Sequence, residues 1–413
     1  MAGYHLEIPS GPYLIPSRRM RSRLFMLVLL LSLCFQAHAQ QRLVSVTYDR
    51  VMTPFEQFNT AFETYPGVLD PADYAFFIKF MGSIGRNVHF VCLNYRTEDP
   101  DGKEVIASGL LALPEGRLRG VISVSPMCRE KSIAGTVHQW ALECFPSMRG
   151  YAVLMPDTIG YGATQDEVVA LLMFENVALT SVHFRQAAQE YLDSLEKPRK
   201  LPARTIVYGY SMGAAGALAT ACHYHAHPEL KVKPHALYLG GGVYDPALTI
   251  EAAIAAGVNE YLLYPAIARS LNRWRGLNLD YSQLLQGKVL EDFERVSSCE
   301  SDMTELAKEY GRDLHVYMHP DWFTPERNPE ILRLTEHLKK LKVTVDRHSL
   351  PKGLKIYLRH AAEDHYVPVV STDSFRKELR EAGYTNVTYF RDKHGDHLYQ
   401  GGRAIMELIL LAL

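Results

Sequence analysis

Short apolar strands alternate with helical runs over most of this chain, and this alternation constrains the fold more than any other feature. The strand-like stretches are 88–95, 105–113, 121–124, 151–155, 205–208, 236–239, 355–358 and 387–390. The first two flank a turn-rich loop and favour an antiparallel pair, whereas later ones are followed by a loop and a helical pattern. We therefore predict an α/β fold with a mostly parallel central sheet flanked by helices. Ligands of such sheets bind beyond the carboxyl ends of the strands.

One long region lacks convincing strands. Residues 246–350 read as helical, for example over 251–264 and 302–310. An insertion of this kind between two strands predicts a helical cap over the sheet edge, within a core of residues 88–245 and 351–413. Residues 40–87 read as an irregular and helical lead-in that packs on the core. Six aromatic residues of the cap could line a pocket or fill its interior: Tyr261, Tyr264, Trp274, Tyr281, Trp322 and Phe323.

The N-terminus has the three parts of a secretion signal. Basic residues at 18–23 precede an apolar run at 24–34, and the small residues Ala37 and Ala39 precede Gln40. This order predicts a signal peptide over residues 1–39, cleaved near Ala39, and a periplasmic or extracellular mature chain. Translation from Met20 would give the signal normal proportions. A permanent membrane anchor is the alternative, but the apolar run is short for a stable span.

Composition indicates a globular protein with a small-molecule substrate. The chain of 413 residues is 47% apolar and 22% charged, and its formal net charge is −2. No basic footprint for nucleic acid is present. Beyond Ala39 five scattered cysteines remain, of which Cys128 and Cys144 could pair, and their spacing fits neither a disulfide scaffold nor a zinc ribbon. His223 and His227 are spaced for one helix face, but helix-end histidines explain them better than a metal site. No metal or cofactor is expected.

The sharpest motif is Gly-Tyr-Ser-Met-Gly at 209–213, placed directly after a strand and directly before a helix-forming run. A serine on so tight a turn needs small neighbours, which Gly209 and Gly213 provide. The helix start also directs backbone N–H groups toward the serine oxygen, where negative charge develops. We therefore predict Ser211 as a nucleophile. A glycine-rich packing turn is the alternative.

A nucleophilic serine needs a base, and the base needs an orienting carboxylate. Asp364 follows the strand at 355–358, as an acid at the carboxyl edge of the sheet should, and the neighbouring Glu363 is its competitor. His397 lies between the last strand and the closing helix, and His394 is the alternative base. The chain order Ser, Asp, His agrees with one known arrangement of serine hydrolases.

These residues carry a family resemblance. From about residue 88 onward the chain resembles the α/β-hydrolase superfamily, and the motifs at 97–102, 108–114, 209–213 and 240–242 resemble its secretory lipase and esterase branch. The loop at 155–162 is also family-like and implies support for the nucleophile turn. The resemblance implies a carboxylic ester hydrolase that acts on small or lipid-like esters through an acyl-enzyme. A serine peptidase or aminopeptidase of the same fold is the alternative, and a non-catalytic binding protein is a third interpretation.

One departure from the relatives concerns the oxyanion hole. They carry a His-Gly pair after the strand that corresponds to residues 121–124, whereas this chain has Ser-Pro-Met-Cys at 125–128. Pro126 has no N–H, so Met127 becomes the predicted backbone donor. The second predicted donor is the N–H of Met212, the residue after the nucleophile.

Overall fold

The computed structural model describes residues 41–64, 85–129 and 142–411. The predicted secretion signal, residues 1–39, lies outside the described residues, as does part of the predicted lead-in. Within the described part of the chain, no helix is both long and apolar enough to cross a bilayer.

A nine-stranded sheet organises the described residues. Its strands follow one another along the sheet in the order β1-β2-β3-β5-β4-β6-β7-β8-β9. The pairs β1–β2, β2–β3 and β3–β5 are antiparallel, and the five pairs from β5–β4 to β8–β9 are parallel. The strands are β1 (Leu43–Met52), β2 (Val88–Glu98), β3 (Glu104–Pro114), β4 (Gly120–Ser125), β5 (Tyr151–Pro156), β6 (Arg204–Tyr210), β7 (Lys233–Gly240), β8 (Lys355–Ala361) and β9 (Val387–Asp392).

Helices cover both faces of this sheet and form the cap. The helices are α1 (Pro54–Thr64), α2 (Phe174–Ser194), α3 (Met212–Ala226), α4 (Pro246–Ala256), α5 (Tyr264–Arg275), α6 (Gly287–Glu291), α7 (Phe293–Ser297), α8 (Met303–Tyr310), α9 (Leu314–Tyr317), α10 (Pro329–Lys340), α11 (Val370–Glu381) and α12 (His397–Leu411). Short 3-10 helices occupy Leu142–Arg149, Gly162–Thr164, Pro228–Leu230, Tyr281–Gln283 and Pro320–Phe323. Helices α4 to α10 lie between β7 and β8, so the fold predicted from the sequence, with a helical cap before the strand that leads to Asp364, is confirmed.

The alternation of side chains along the strands builds two apolar layers. In β2, Val91 and Leu93 face a cluster that includes Phe184 of α2. The intervening Phe90 faces the opposite cluster, which includes Leu408 of α12. All of these side chains are completely buried, and each stabilises the fold by about 1.5–3 kcal/mol relative to an exposed position.

The strand register brings the functional loops to one edge. Ser125 of β4 pairs with Gly209 of β6, and Tyr210 pairs with Gly240 of β7. Gly240 in turn pairs with Arg359 of β8. Parallel strands in this register end together, so the segments that follow β4, β6, β7 and β8 meet at the same edge of the sheet.

Two sequence-based expectations are wrong in detail. The lead-in contains strand β1, which pairs with β2 along its length, where an irregular and helical segment was expected. The helix expected over 251–264 is not continuous, because α4 ends before Gly257, which adopts the left-handed conformation (φ +71°). Helix α5 then begins with Pro265 in its first turn, a position that favours helix initiation.

Candidate active site

Ser211 lies on a strained turn between β6 and α3. Its backbone angles are φ 57° and ψ −130°, a conformation that costs about 1–3 kcal/mol for a residue with a side chain. A Cβ atom at Gly209 would lie 2.0 Å from the Gly213 carbonyl oxygen, and one at Gly213 would lie 2.3 Å from the Ser125 carbonyl oxygen. The two glycines therefore allow the turn to form and let the segment after β4 approach it closely.

Asp364 and His397 are joined at the end of β8. The Nδ1 atom of His397 lies 2.6 Å from Oδ2 of Asp364, and both side chains are almost completely buried. The other carboxylate oxygen accepts hydrogen bonds from the backbone N–H groups of Tyr366 and Val367, at 3.0 and 2.9 Å. Burial alone would raise the pKa of Asp364, but the charge of His397 and hydrogen bonds from His360 and His397 hold it below its ordinary value. The carboxylate is therefore ionised and fixed in place.

Ser211 and His397 line the same cavity. Within the described residues no hydrogen bond joins the Ser211 hydroxyl to the imidazole, a looseness common in ligand-free active sites. The backbone fixes both residues: the Ser211 N–H donates to the Gly240 carbonyl at 2.8 Å, and the Tyr210 hydroxyl donates to the His397 carbonyl at 2.6 Å. Tyr210 belongs to the glycine-serine motif, so the motif holds the histidine backbone as well as the serine.

The alternative acid and base pair with each other. His394 Nδ1 lies 2.8 Å from a carboxylate oxygen of Glu363, and these side chains are 82% and 54% exposed. Neither residue lines the cavity that contains Ser211. The structure therefore brings Asp364 and His397, rather than Glu363 and His394, to the predicted site.

The two predicted oxyanion donors lie beside Ser211. Met212 and Met127 both line the cavity, and neither backbone N–H has a hydrogen-bond partner among the described residues. Met212 is the first residue of α3, where an N–H has no acceptor within the helix. The loop that carries Met127 is fixed by Tyr161. The Tyr161 hydroxyl accepts a hydrogen bond from the Arg129 N–H at 3.2 Å and donates one to the Arg129 carbonyl at 2.7 Å.

The Tyr161 contact belongs to the loop at 155–162. Earlier in the same loop, Asp157 accepts a 2.5 Å hydrogen bond from the Ser108 hydroxyl. A Cβ atom at Gly162, whose φ is +54°, would lie 2.1 Å from that hydroxyl oxygen. Burial raises the pKa of Asp157 to about 7, although the Ser108 hydrogen bond and the charge of Arg129 act in the opposite direction.

The cavity beside Ser211 has a volume of about 120 Å³. More than half of its lining residues belong to the cap, and no Asp, Glu, Lys or Arg is among those described. Of the six cap aromatics, Tyr261, Tyr264 and Trp322 line it. Trp274 is buried with its indole N–H bonded to the Val168 carbonyl. The remaining two, Tyr281 and Phe323, stack on Phe293 and His315.

An aromatic column connects the cap to the histidine. The Tyr366 ring stacks on the His397 imidazole at a centroid distance of 5.1 Å. Tyr366 also stacks on the Tyr261 ring of the cap, at a centroid distance of 5.2 Å and an interplanar angle of 17°. The Tyr261 hydroxyl also lies 3.5 Å from the carbonyl oxygen of Cys128, directly after Met127. One cap residue therefore touches both the histidine side and the oxyanion side of the site.

Sequence reasoning missed His360, which is completely buried four residues before Asp364. Its Nε2 atom lies 3.1 Å from Oδ2 of Asp364, the oxygen that also binds His397. The sequence signal was a histidine inside strand β8, close to the candidate acid, where a core position would ordinarily hold an apolar residue.

Of the remaining reactive side chains, Cys128 also lines the cavity, whereas Cys144, His223 and His227 do not. Cys128 and Cys144 are not bonded to each other; the Cys128 thiol instead lies 3.6 Å from the Tyr161 hydroxyl and contacts the Cys299 thiol. His223 and His227 stack on each other near the end of α3. Within the described ranges, no group of three or more potential ligands could hold a metal ion.

Comparisons with known proteins agree with this architecture. No family model matches the chain, and no curated protein matches it significantly in sequence. Solved structures do match. The rice cell wall degrading esterase LipA from Xanthomonas oryzae superposes with a TM-score of 0.70 at 16% identity, over 91% of this chain and 97% of its own. A Legionella pneumophila protein assigned as a hydrolase gives 0.67 at 18% identity, over 90% and 97%.

A more distant match is Candida antarctica lipase A, with a TM-score of 0.54 at 12% identity, over 88% of this chain and 79% of its own. Similarity at such low identities establishes the fold. The chain therefore has the α/β-hydrolase fold, as its motifs imply.

Proposed function

We propose that this chain is an exported serine hydrolase that cleaves carboxylic esters through an acyl-enzyme. Ser211 is the nucleophile, His397 the general base and Asp364 the acid that orients the base. One observation carries the proposal: a serine on a left-handed turn shares a cavity with an imidazole whose Nδ1 lies 2.6 Å from a buried carboxylate.

The chemistry follows from these positions. The Ser211 oxygen attacks the ester carbonyl while His397 Nε2 accepts its proton, and Asp364 stabilises the resulting imidazolium. The N–H groups of Met212 and Met127 bind the oxyanion, each contributing about 3–4 kcal/mol to the transition state. His397 then protonates the leaving alcohol, and a water molecule repeats the sequence to release the acid.

The cavity favours an apolar ester. Its lining is mostly aliphatic and aromatic, including Ile250, Ile267 and Leu338 from the cap, and its polar members are uncharged side chains such as Thr249 and Asn259. An aminopeptidase would need a charged partner for the substrate amine, and the described lining offers none. A lipid-like or small hydrophobic ester therefore suits the site better than a peptide. The esterase and lipase named among the structural neighbours support the same conclusion.

Labelling and substrate panels test this function. Wild-type protein is expected to react with a fluorophosphonate probe and to hydrolyse p-nitrophenyl esters in preference to aminoacyl anilides. Ser211→Ala is expected to lose labelling and to lower turnover by about a millionfold, whereas Ser282→Ala, at an exposed cap serine, should match the wild type. Labelling that survives Ser211→Ala would exclude this nucleophile. Preference for anilides would support the peptidase, and a wild type without labelling or turnover would support a binding protein.

Export has its own test. The basic, apolar and small-residue segments at 18–39 support a cleaved signal. We expect the mature protein, purified from the periplasm or the medium, to begin at Gln40. A chain recovered only uncleaved in the cytoplasmic fraction would contradict export and leave the proposed chemistry unaffected.

A further inference from the structure

His360 occupies a fully enclosed position behind the candidate acid. It lies near the end of β8, and its side chain has no solvent exposure. Three groups surround the imidazole. Its Nε2 atom lies 2.8 Å from the Val367 carbonyl oxygen and 3.1 Å from Oδ2 of Asp364. Its Nδ1 atom lies 2.6 Å from the Thr372 hydroxyl of α11.

These partners define the tautomer of the ring. A carbonyl oxygen only accepts hydrogen bonds, so Nε2 of His360 must carry a hydrogen directed at Val367 and Asp364. The Thr372 hydroxyl, which can donate or accept, holds the other ring nitrogen, Nδ1. The imidazole therefore presents its Nε2–H to the carboxylate.

The Asp364 carboxylate consequently receives four N–H groups. Oδ1 accepts from two backbone amides, and Oδ2 accepts from His360 and His397. Charge-assisted hydrogen bonds of this kind are about twice as strong as neutral ones. Without the His360 contact, the carboxylate would keep its backbone bonds but could rotate relative to His397.

We propose that His360 is a positioning residue of the hydrolase: its Nε2–H fixes Oδ2 of Asp364 in the orientation that aligns His397 for proton transfer. This inference rests on the proposed function. His360 itself touches neither Ser211 nor the cavity, so it takes no part in the chemical steps.

The test compares three variants by kcat, KM and pH profile. His360→Leu removes the N–H, and we expect kcat to fall about 10- to 100-fold, the factor for one lost hydrogen bond to a charged group. KM should change little because His360 itself does not line the cavity. His360→Gln restores a side-chain N–H that extends a similar distance from the backbone, and this variant should recover at least a third of wild-type kcat. Thr372→Val removes only the partner of Nδ1 and should lower kcat two- to five-fold.

The pH profile separates positioning from loose packing. A carboxylate with one fewer donor attracts the His397 proton more strongly, so the acid limb of kcat/KM should move to higher pH in His360→Leu and not in His360→Gln. The other titratable groups facing Asp364 are Tyr210 and Tyr366; burial raises the pKa of both, that of Tyr366 to about 12, so they remain neutral. If the role of His360 were purely structural, His360→Leu would contain a smaller fraction of active protein, and the acid limb of its kcat/KM profile would stay at the wild-type pH.

Labelling and kcat together separate the proposed function from the role of His360. Rates are expressed per site titrated by the fluorophosphonate, so misfolded protein does not count. Wild-type protein that fails to label would overturn the proposed function, whereas a labelled His360→Leu with wild-type kcat and limb would overturn this inference alone. Should His360→Leu not fold, the other two variants decide. A His360→Gln protein with at least a third of wild-type kcat, together with a reduced Thr372→Val, would support the inference. A His360→Gln kcat below a third of the wild type, or an unreduced Thr372→Val, would overturn it.

Discussion

The edge of the core contributes one kind of residue to the candidate site, and the cap contributes another. The core supplies the polar groups Ser211, Asp364 and His397, each held by hydrogen bonds from strand ends and adjacent loops. The cap supplies most of the cavity wall, and its contributions there are aliphatic and aromatic except for Thr249 and Asn259. In the proposed hydrolase, reactivity therefore depends on directional contacts in the core, and substrate fit depends on the volume that the cap leaves open.

Among the variants that compare the two regions, the largest expected effect follows from breaking the core contact between Asp364 and His397. Asp364→Asn would present an amide N–H where the imidazole needs an acceptor and would favour the wrong tautomer. We expect kcat to fall about 10⁴-fold with the fold retained, measured by ester hydrolysis and circular dichroism. Glu363→Gln is the matched control, since Glu363 contacts exposed His394 instead. Equal losses in both variants would contradict the assignment of the acid.

Filling the cap side should change selectivity rather than chemistry. Ala268 lines the cavity from α5 and is 3% exposed, so Ala268→Phe should narrow it. We expect kcat/KM for long-chain p-nitrophenyl esters to fall about 30-fold relative to the acetate, within the few kcal/mol that steric fit provides. Ala266→Phe, on the same helix but outside the lining, controls for overpacking. A uniform loss across chain lengths would show that the acyl chain binds elsewhere.

A buried core acid should give the protein a pH-dependent stability. The pKa of Asp157 is raised to about 7 in the folded chain and is about 3.9 when unfolded. The folded state therefore binds this proton more tightly, and the wild type loses stability as pH rises from about 4 to about 7.

Asp157→Asn should remove that loss. As the pH rises from 5 to 7, the free energy of unfolding of Asp157→Asn should increase by about 1–2 kcal/mol relative to that of the wild type. Denaturant titration at the two pH values measures this difference. Asp166→Asn, at an exposed position, should follow the wild type. Parallel pH dependences for wild type and Asp157→Asn would contradict the prediction.

The smallest effect concerns the contact between the two regions. Tyr261→Phe keeps the stack on Tyr366 but removes the hydroxyl that approaches the Cys128 carbonyl. We expect a two- to five-fold lower kcat, consistent with one weak neutral hydrogen bond. Tyr264→Phe is matched, because its hydroxyl accepts from Asn259 within the cap. A decrease shared by both variants would indicate a general change in the cavity.

The sequence predicts the core better than the cap for a physical reason. Strand positions such as 206–208 and 236–239 are continuous apolar runs because both faces of the parallel sheet are covered. Strand β1 was missed because most of its side chains are exposed, so burial imposes no pattern on them. Ser211, with its flanking glycines, was predictable since the turn itself requires those residue types.

Other parts of the site have no local signature. The ring of His360 is held by Val367 and Thr372, which approach it only after the chain turns from β8 into α11. In the cap, cavity-lining and core-filling aromatics follow the same helical spacing, so Tyr264 and Trp274 could not be distinguished from the sequence. Their roles depend on helix packing, which composition and periodicity do not encode.

The aromatic column from Tyr261 through Tyr366 to His397 makes the cavity wall and the proposed base parts of one packed unit. Tyr366 lies between the other two rings, so a change in how the Tyr261 ring packs on it also reaches the imidazole. Substitutions at this point of the cap are therefore expected to alter the alignment of the base as well as the fit of the substrate.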